Sequence, residues 1–345
     1  MDNVFENILG LIGSTPMVKL SQITNNIPAI VFAKLESYNP GHSTKDRIAI
    51  HIIESAEKKG LLQPGSTIIE TTSGNTGFSI AMVSVVKGYK SILVVSDKTK
   101  HEKIAYLRAL GSSVYVCPAN VPAEDPRSYF EVGKKIASET PNSIYINQYF
   151  NELNIDAHYR STGPEIWSQT QGKITHIFAC CGTGGTLSGS AKFLKEQNPN
   201  IRVIGVDAHG SVLKTFHETG KVNKNDIHPY EIEGLGKNII PDTLLFNYID
   251  EFVRISDEDS AYTTREIALK EGIIGGYTSG AVVQALKQYS QTHRFAKDDV
   301  VVLIFPDHGS RYMTKVYNDE WMLSKGFSKN NIHNYEKGFG IEYIK

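Results

Sequence analysis

From Ile30 onward, short runs rich in β-branched residues alternate with longer segments whose apolar residues recur at helical spacing. Strands that alternate with helical crossovers build a parallel sheet covered by helices, because parallel neighbours need a connection long enough to return the chain to the same end. Length and β-rich content predict strands over residues 30–35, 67–70, 91–95, 113–116, 143–146, 174–180, 201–206 and 300–305. Between the first two, residues 45–59 place Ile48, Ile52, Ile53 and Ala56 near helical spacing, and Leu61-Leu62-Gln63-Pro64-Gly65 reads as the exit and turn. The expected class is α/β.

At 345 residues the chain is long enough for two ordinary domains or one large one. With 40% apolar and 21% charged residues it has the balance of a soluble globular protein. A formal net charge of −1 argues against a nucleic acid or an anionic membrane as partner, and no apolar run reaches spanning length. Small molecules are therefore the expected partners. Cys117, Cys180 and Cys181 form no spaced framework, and the vicinal pair cannot make a closed zinc site, so no metal is expected. A reducing, cytoplasmic compartment fits this cysteine usage. The amino terminus has no positive region followed by a long apolar stretch, and no secretory signal is expected. There is no repeat of solenoid length.

Four stretches can carry chemistry. In Asn39-Pro40-Gly41-His42-Ser43-Thr44-Lys45-Asp46-Arg47 a turn runs into the first helix, with Lys45 at the entrance. A lysine there is ordinarily a solvated first-turn charge, and only its context argues otherwise. Glu70-Thr71-Thr72-Ser73-Gly74-Asn75-Thr76-Gly77 lies between a strand and a helix and offers hydroxyls, an amide and backbone N–H groups suited to a carboxylate. Gly182-Thr183-Gly184-Gly185-Thr186 follows the strand 174–180; its glycines let the backbone approach an anion and its threonines add donors, so phosphate is the natural ligand. It has neither a dinucleotide fingerprint nor a P-loop lysine. Gly275-Gly276-Tyr277-Thr278-Ser279-Gly280-Ala281 is again a glycine-rich helix entrance, where Thr278 is either a cap or a ligand donor. One cofactor accounts for all four together. Pyridoxal phosphate needs a lysine for its aldehyde, a phosphate cup, a donor to its phenolic oxygen and a partner for its ring nitrogen.

With Ile12-Gly13-Ser14-Thr15-Pro16-Met17-Val18 added to these motifs, about nine-tenths of the chain resembles the cysteine synthase and cystathionine β-synthase family of fold-type II pyridoxal-phosphate enzymes. The resemblance implies two three-layer α/β/α domains with the cofactor in the cleft. A smaller mobile domain would span 46–150, a larger one 1–45 plus 151–327, and a peripheral tail 328–345. It implies that Lys45 forms the Schiff base and that Asn75 bonds the phenolic oxygen. Gly182, Thr183, Gly184, Gly185 and Thr186 would cradle the phosphate, with Thr278 facing the ring nitrogen. Thr72, Ser73, Asn75, Thr76, Gln148 and Gly236 match positions that bind the substrate. A homodimer is implied as well.

Within the family, Val206-Asp207-Ala208-His209-Gly210-Ser211, Tyr230 to Gly236, and Pro306-Asp307 leading to Arg311-Tyr312-Met313-Thr314-Lys315 are similar to cystathionine β-synthases. After Gly236, however, Lys237-Asn238 stands where those enzymes carry an aromatic residue and an aspartate, and His42 and Thr71 replace the commoner Gly and Pro. No haem-binding extension or regulatory nucleotide-binding pair is expected. The implied reaction is β-replacement on L-serine or an O-activated serine by a thiol, through an α-aminoacrylate, with cystathionine from serine and homocysteine as the leading expectation. O-acetylserine sulfhydrylase and lanthionine- or diaminopropionate-forming relatives are the alternatives. A neutral threonine at the ring nitrogen makes a weaker electron sink than an aspartate would, which favours β-replacement over transamination.

Overall fold

A computed structural model of the chain describes residues 4–327 apart from Ser73 and Ala123, so the expected tail 328–345 lies outside the described residues. Ten strands are described: β1 (Met17–Leu20), β2 (Ile30–Leu35), β3 (Thr67–Thr71), β4 (Lys90–Ser96), β5 (Ser113–Cys117), β6 (Ser143–Tyr145), β7 (His176–Cys180), β8 (Arg202–Ala208), β9 (Glu251–Ile255) and β10 (Val300–Phe305). They form a six-stranded sheet of order β1-β2-β10-β7-β8-β9 and a four-stranded sheet of order β5-β4-β3-β6. Every pairing is parallel except β1 with β2, which is a direct antiparallel return.

All eight expected strands are present, with ends shifted by up to two residues. The two that sequence patterning missed, β1 and β9, are the outer strands of the six-stranded sheet. Each carries charge, Lys19 in one and Glu251 with Arg254 in the other. Edge strands tolerate such residues because one side is unpaired, and charge there discourages pairing with other chains.

Alternation along β10 explains why the six-stranded sheet is buried on both faces. Val301, Leu303 and Phe305 join one apolar cluster, with Phe178, Tyr277 and Val282. Val302 and Ile304 join the opposite one, with Ile177, Leu187 and Leu194. A parallel sheet flanked by helices is apolar on consecutive residues for this reason.

The helix Lys45–Lys58 buries Ile48, Ala49, Ile52, Ile53 and Ala56 in a third cluster, with Ile68 of β3 and Leu93 of β4. Burying each isoleucine contributes about 1.5–3 kcal/mol. Its entrance is tied to the other sheet, since the Thr44 N–H donates to the Pro306 carbonyl just past β10 at 2.8 Å. Lys45 thus stands where the two sheets meet. Among the described residues, no helix is long and apolar enough to cross a membrane.

Candidate active site

The residues that flank Lys45 are fixed by buried charge. The Asp46 carboxylate accepts the Gly41 N–H at 2.6 Å and the Ser79 hydroxyl at 2.5 Å, and burial raises its pKa to about 6. Arg47 is buried and donates Nε to Glu36 at 2.7 Å and Nη1 to Glu165 at 2.6 Å. Lys34, fully buried, closes the network on Glu165 at 2.6 Å. Just before the helix, His42 holds φ +59, a left-handed conformation that glycine adopts without strain and other residues rarely adopt.

Lys45 itself is half-buried, and among the described residues its Nζ makes no hydrogen bond or ion pair. Burial lowers its pKa; Asp307 opposes that shift and Lys237 adds to it. An amine depressed in this way is more often free to attack a carbonyl.

Lys45 opens into a cavity of about 490 Å³ between the two sheets. From the four-stranded side come Thr72, Gly74, Asn75 and Thr76, where β3 gives way to the helix Asn75–Lys87, and Gln148 after β6. The Thr76 hydroxyl donates to Gln148 Oε1 at 2.7 Å, so the two loops are joined. Beneath them lies Glu70, 1% exposed, whose carboxylate accepts the N–H of Thr71 at 2.7 Å and of Gln148 at 3.2 Å. Burial raises its pKa to about 7 despite those donors.

From the six-stranded side, Gly182, Thr183, Gly184 and Thr186 line the wall after β7, and the helix Gly185–Gln197 starts within the motif. A Cβ on Gly182 would lie 2.5 Å from the Gly234 carbonyl oxygen, and Gly184 has φ +90, so both positions require glycine. Thr183 Oγ1 accepts from Asn154 at 3.1 Å. Thr186 Oγ1 meets His158 Nε2 at 3.1 Å, and the other ring nitrogen meets Thr162 at 2.8 Å. Burial lowers the His158 pKa to about 3, so the imidazole that positions Thr186 is uncharged at neutral pH.

Thr278 is not the helix cap. The helix Tyr277–Thr292 begins after Gly276, without a side-chain cap bond. The Thr278 hydroxyl, on the cavity wall, has no partner among the described residues. Thr44 Oγ1 and Asp307 Oδ1, on residues of the same wall, are also buried without partners.

Of the other expected residues, Ser73 lies outside the described residues, and Gly185 and Gly236 are not on the wall. Gly236 donates its N–H to the Cys181 carbonyl at 2.8 Å and packs against Ser211 and Ala208. Its neighbours Gly234 and Lys237 do line the cavity. Asn75 is already engaged, because Nδ2 donates to Asp307 at 2.7 Å and Arg311 donates to its Oδ1.

Sequence reasoning placed Glu233, Asp307, Arg311 and Lys315 in stretches similar to cystathionine β-synthases and noted the departure at Lys237, but gave none of them a role in the site, and it passed over Lys98, Lys100 and Lys103. They come from three separate segments, 98–103, 233–237 and 307–315, and nothing in their residue types distinguishes them from surface charge. The family-like stretches and the departure at Lys237 were the available signals.

The cavity therefore combines a free amine, an anion cup, a second set of donors suited to a carboxylate and an unpartnered hydroxyl. A family model described as pyridoxal-phosphate dependent enzyme matches residues 8–307. The chain is 41% identical over 326 residues to a cystathionine β-synthase of Apis mellifera, covering 94% of this chain but only 64% of that protein. Among solved structures it is similar to an O-acetylserine dependent cystathionine β-synthase from Helicobacter pylori, at 36% identity and a TM-score of 0.81, covering 91% of this chain and 99% of that one. It is also similar to a hydrogen sulfide-producing enzyme from Fusobacterium nucleatum, at 34% identity and a TM-score of 0.81, covering 90% and 99%.

Proposed function

We propose, from the premise that this chain belongs to the family of pyridoxal-phosphate dependent enzymes, that it exchanges the β-substituent of L-serine, or of an O-activated serine, for a thiol. The thiol we favour is homocysteine, giving cystathionine. The observation that carries this reading is the convergence of Lys45, the 182–186 loop and the unpartnered Thr278 hydroxyl on one cavity wall.

The side chains present suit the cofactor. Lys45 would hold its aldehyde carbon, Gly182, Thr183, Gly184 and Thr186 with the backbone of Gly185 behind them its phosphate, the second Nδ2 hydrogen of Asn75 its phenolic oxygen and Thr278 its ring nitrogen. When bound, the pyridoxal group supplies a sink for negative charge developed at the amino acid's α-carbon.

The chain's own residues do the rest. Thr72, Ser73, Thr76 and Gln148 would grip the substrate carboxylate, and Lys45, released by the incoming amine, would take the α-proton and later return it. At the β-carbon the bond to oxygen breaks and a bond to sulfur forms; with serine, the hydroxyl and the thiol's proton leave as water. The half of the chain around the four-stranded sheet, residues 46–150, would move over the substrate, and a cytoplasmic homodimer is the assembly we favour.

The test supplies the holoenzyme with L-serine or O-acetyl-L-serine, each with homocysteine or sulfide, and identifies products by mass spectrometry. Cystathionine from serine is the expected result. Cysteine from O-acetylserine and sulfide alone would replace this reading with cysteine synthase, and no β-replaced product from any pair would overturn it.

A further inference from the structure

The cavity mouth is strongly cationic, and most of its cations already have partners. Glu233, the carboxylate of the rim, is shared by Lys103 at 2.7 Å and Lys315. Arg311 is held by Asn75 and the Gly41 carbonyl, and Lys100 by the Thr314 hydroxyl. Lys98 is exposed to solvent.

Lys237 differs from all of these. It is half-buried on the cavity wall, and among the described residues its ammonium has no oxygen partner. Its Nζ stands 4.9 Å from the centre of the Tyr149 ring, which also lines the cavity. Its backbone is clamped: the N–H donates to Ser211 Oγ at 2.9 Å, and the carbonyl accepts the Val212 N–H at 2.9 Å and the Ser211 hydroxyl at 3.0 Å. A fixed root and an aromatic face hold the charge in place, and a ring face supplies no counter-ion. Lys237 and Lys45 line the same cavity, and the Lys237 charge is one of the groups that depress the Lys45 pKa.

An ammonium held on a cavity wall with no carboxylate beside it is available to an anion that enters the cavity. We infer that Lys237 binds an oxyanion on the group exchanged at the β-carbon, either a carboxylate on the incoming thiol or an anionic leaving group. The inference rests on the β-replacement reading for the identity of the substrates. The loops proposed above, with Thr72, Thr76 and Gln148, would serve the amino acid's own carboxylate, which leaves Lys237 for the second anion.

The test compares wild type, Lys237→Met and Lys237→Arg as holoenzymes. For thiols, the readout is the ratio of kcat/KM for 3-mercaptopropionate to that for uncharged 2-mercaptoethanol. For leaving groups, it is the ratio for O-phospho-L-serine to that for O-acetyl-L-serine. A fall of about tenfold in one ratio with Met, recovered by Arg and carried by KM rather than kcat, is expected and identifies which partner bears the anion. Both ratios unchanged within twofold would overturn the inference.

Calorimetric binding of 3-mercaptopropionate and of inorganic phosphate runs in parallel without turnover. If no donor and thiol react, the β-replacement reading fails, while loss of either anion's binding in Lys237→Met still supports an oxyanion site. Equal binding to wild type and Lys237→Met would overturn that site.

Discussion

Asn75 and Asp307 are 232 positions apart in the chain, and Asn75 Nδ2 donates to Asp307 Oδ2 at 2.7 Å. The bond joins the helix that follows β3 to the segment that follows β10, so it spans the cleft between the two sheets. Asp307 is 2% exposed and accepts the Tyr312 hydroxyl at 2.7 Å on the same oxygen. Asp307→Ala strands two donors, and a loss of roughly 1–3 kcal/mol per stranded group is expected on chemical denaturation. Tyr312→Phe, which removes one donor and leaves the Asn75 bond, should cost less than half as much.

Lys45 is the predicted attachment point for the cofactor. Borohydride reduction of the wild-type holoenzyme should fix the pyridoxyl group on the peptide that contains Lys45, read by mass spectrometry. Lys45→Ala should show no such adduct and no long-wavelength absorption band. An adduct on another lysine would refute the assignment.

Arg47 holds the buried carboxylate of Glu36 and the half-buried one of Glu165 next to the reactive lysine. Arg47→Met leaves Glu36, wholly buried, without its guanidinium partner, and that partner is what holds its pKa down to about 2. Breaking a buried pair from one side costs about 3–5 kcal/mol. Thermal unfolding of the cofactor-free protein should show this loss, and Arg47→Lys should recover only part of it because an ammonium cannot serve both carboxylates in the forked geometry.

Glu70 provides a pH test with a definite sign. Its folded pKa is raised from about 4.5 to about 7 by burial, so the folded state holds its proton more tightly than the unfolded chain does. The stability it contributes is complete below pH 4.5 and is lost as pH rises to 7. Glu70→Gln cannot ionise, so relative to wild type it should gain about 3 kcal/mol of unfolding free energy between pH 4 and pH 8. A constant difference across that range would mean that Glu70 titrates normally.

The parts of the site that could be read in the sequence were those built from contiguous residues. A loop such as Gly182-Thr183-Gly184-Gly185-Thr186 states its backbone requirement locally, and the structure places four of its five residues on the wall. Thr278 was harder, because a threonine at a helix entrance has the composition of a cap whether or not it makes the bond; here Gly276 occupies that position. Buried charge was not legible. Lys34, Glu36, Arg47 and Glu165 have the residue types of a solvated surface, and only the fold brings Glu165 to within 2.6 Å of Lys34 across 131 positions of chain. The outer strands β1 and β9 were missed on similar grounds, since an edge relaxes the apolar patterning that identified the interior strands.

The placement of β10 between β2 and β7 has a consequence for biosynthesis. β2 ends at Leu35, and its partner begins only at Val300. At typical ribosomal speeds of roughly 5–20 residues per second, the first hairpin waits on the order of tens of seconds for that partner to emerge. The four-stranded sheet draws all its strands from residues 67–145 and can close in the meantime. Until the final strand threads into place, β2 presents an open apolar edge, and the Pro306 carbonyl that anchors Thr44 does not yet exist. Assembly of the pocket is therefore among the last events of synthesis, and a nascent chain stalled before Val300 is a natural client for chaperones.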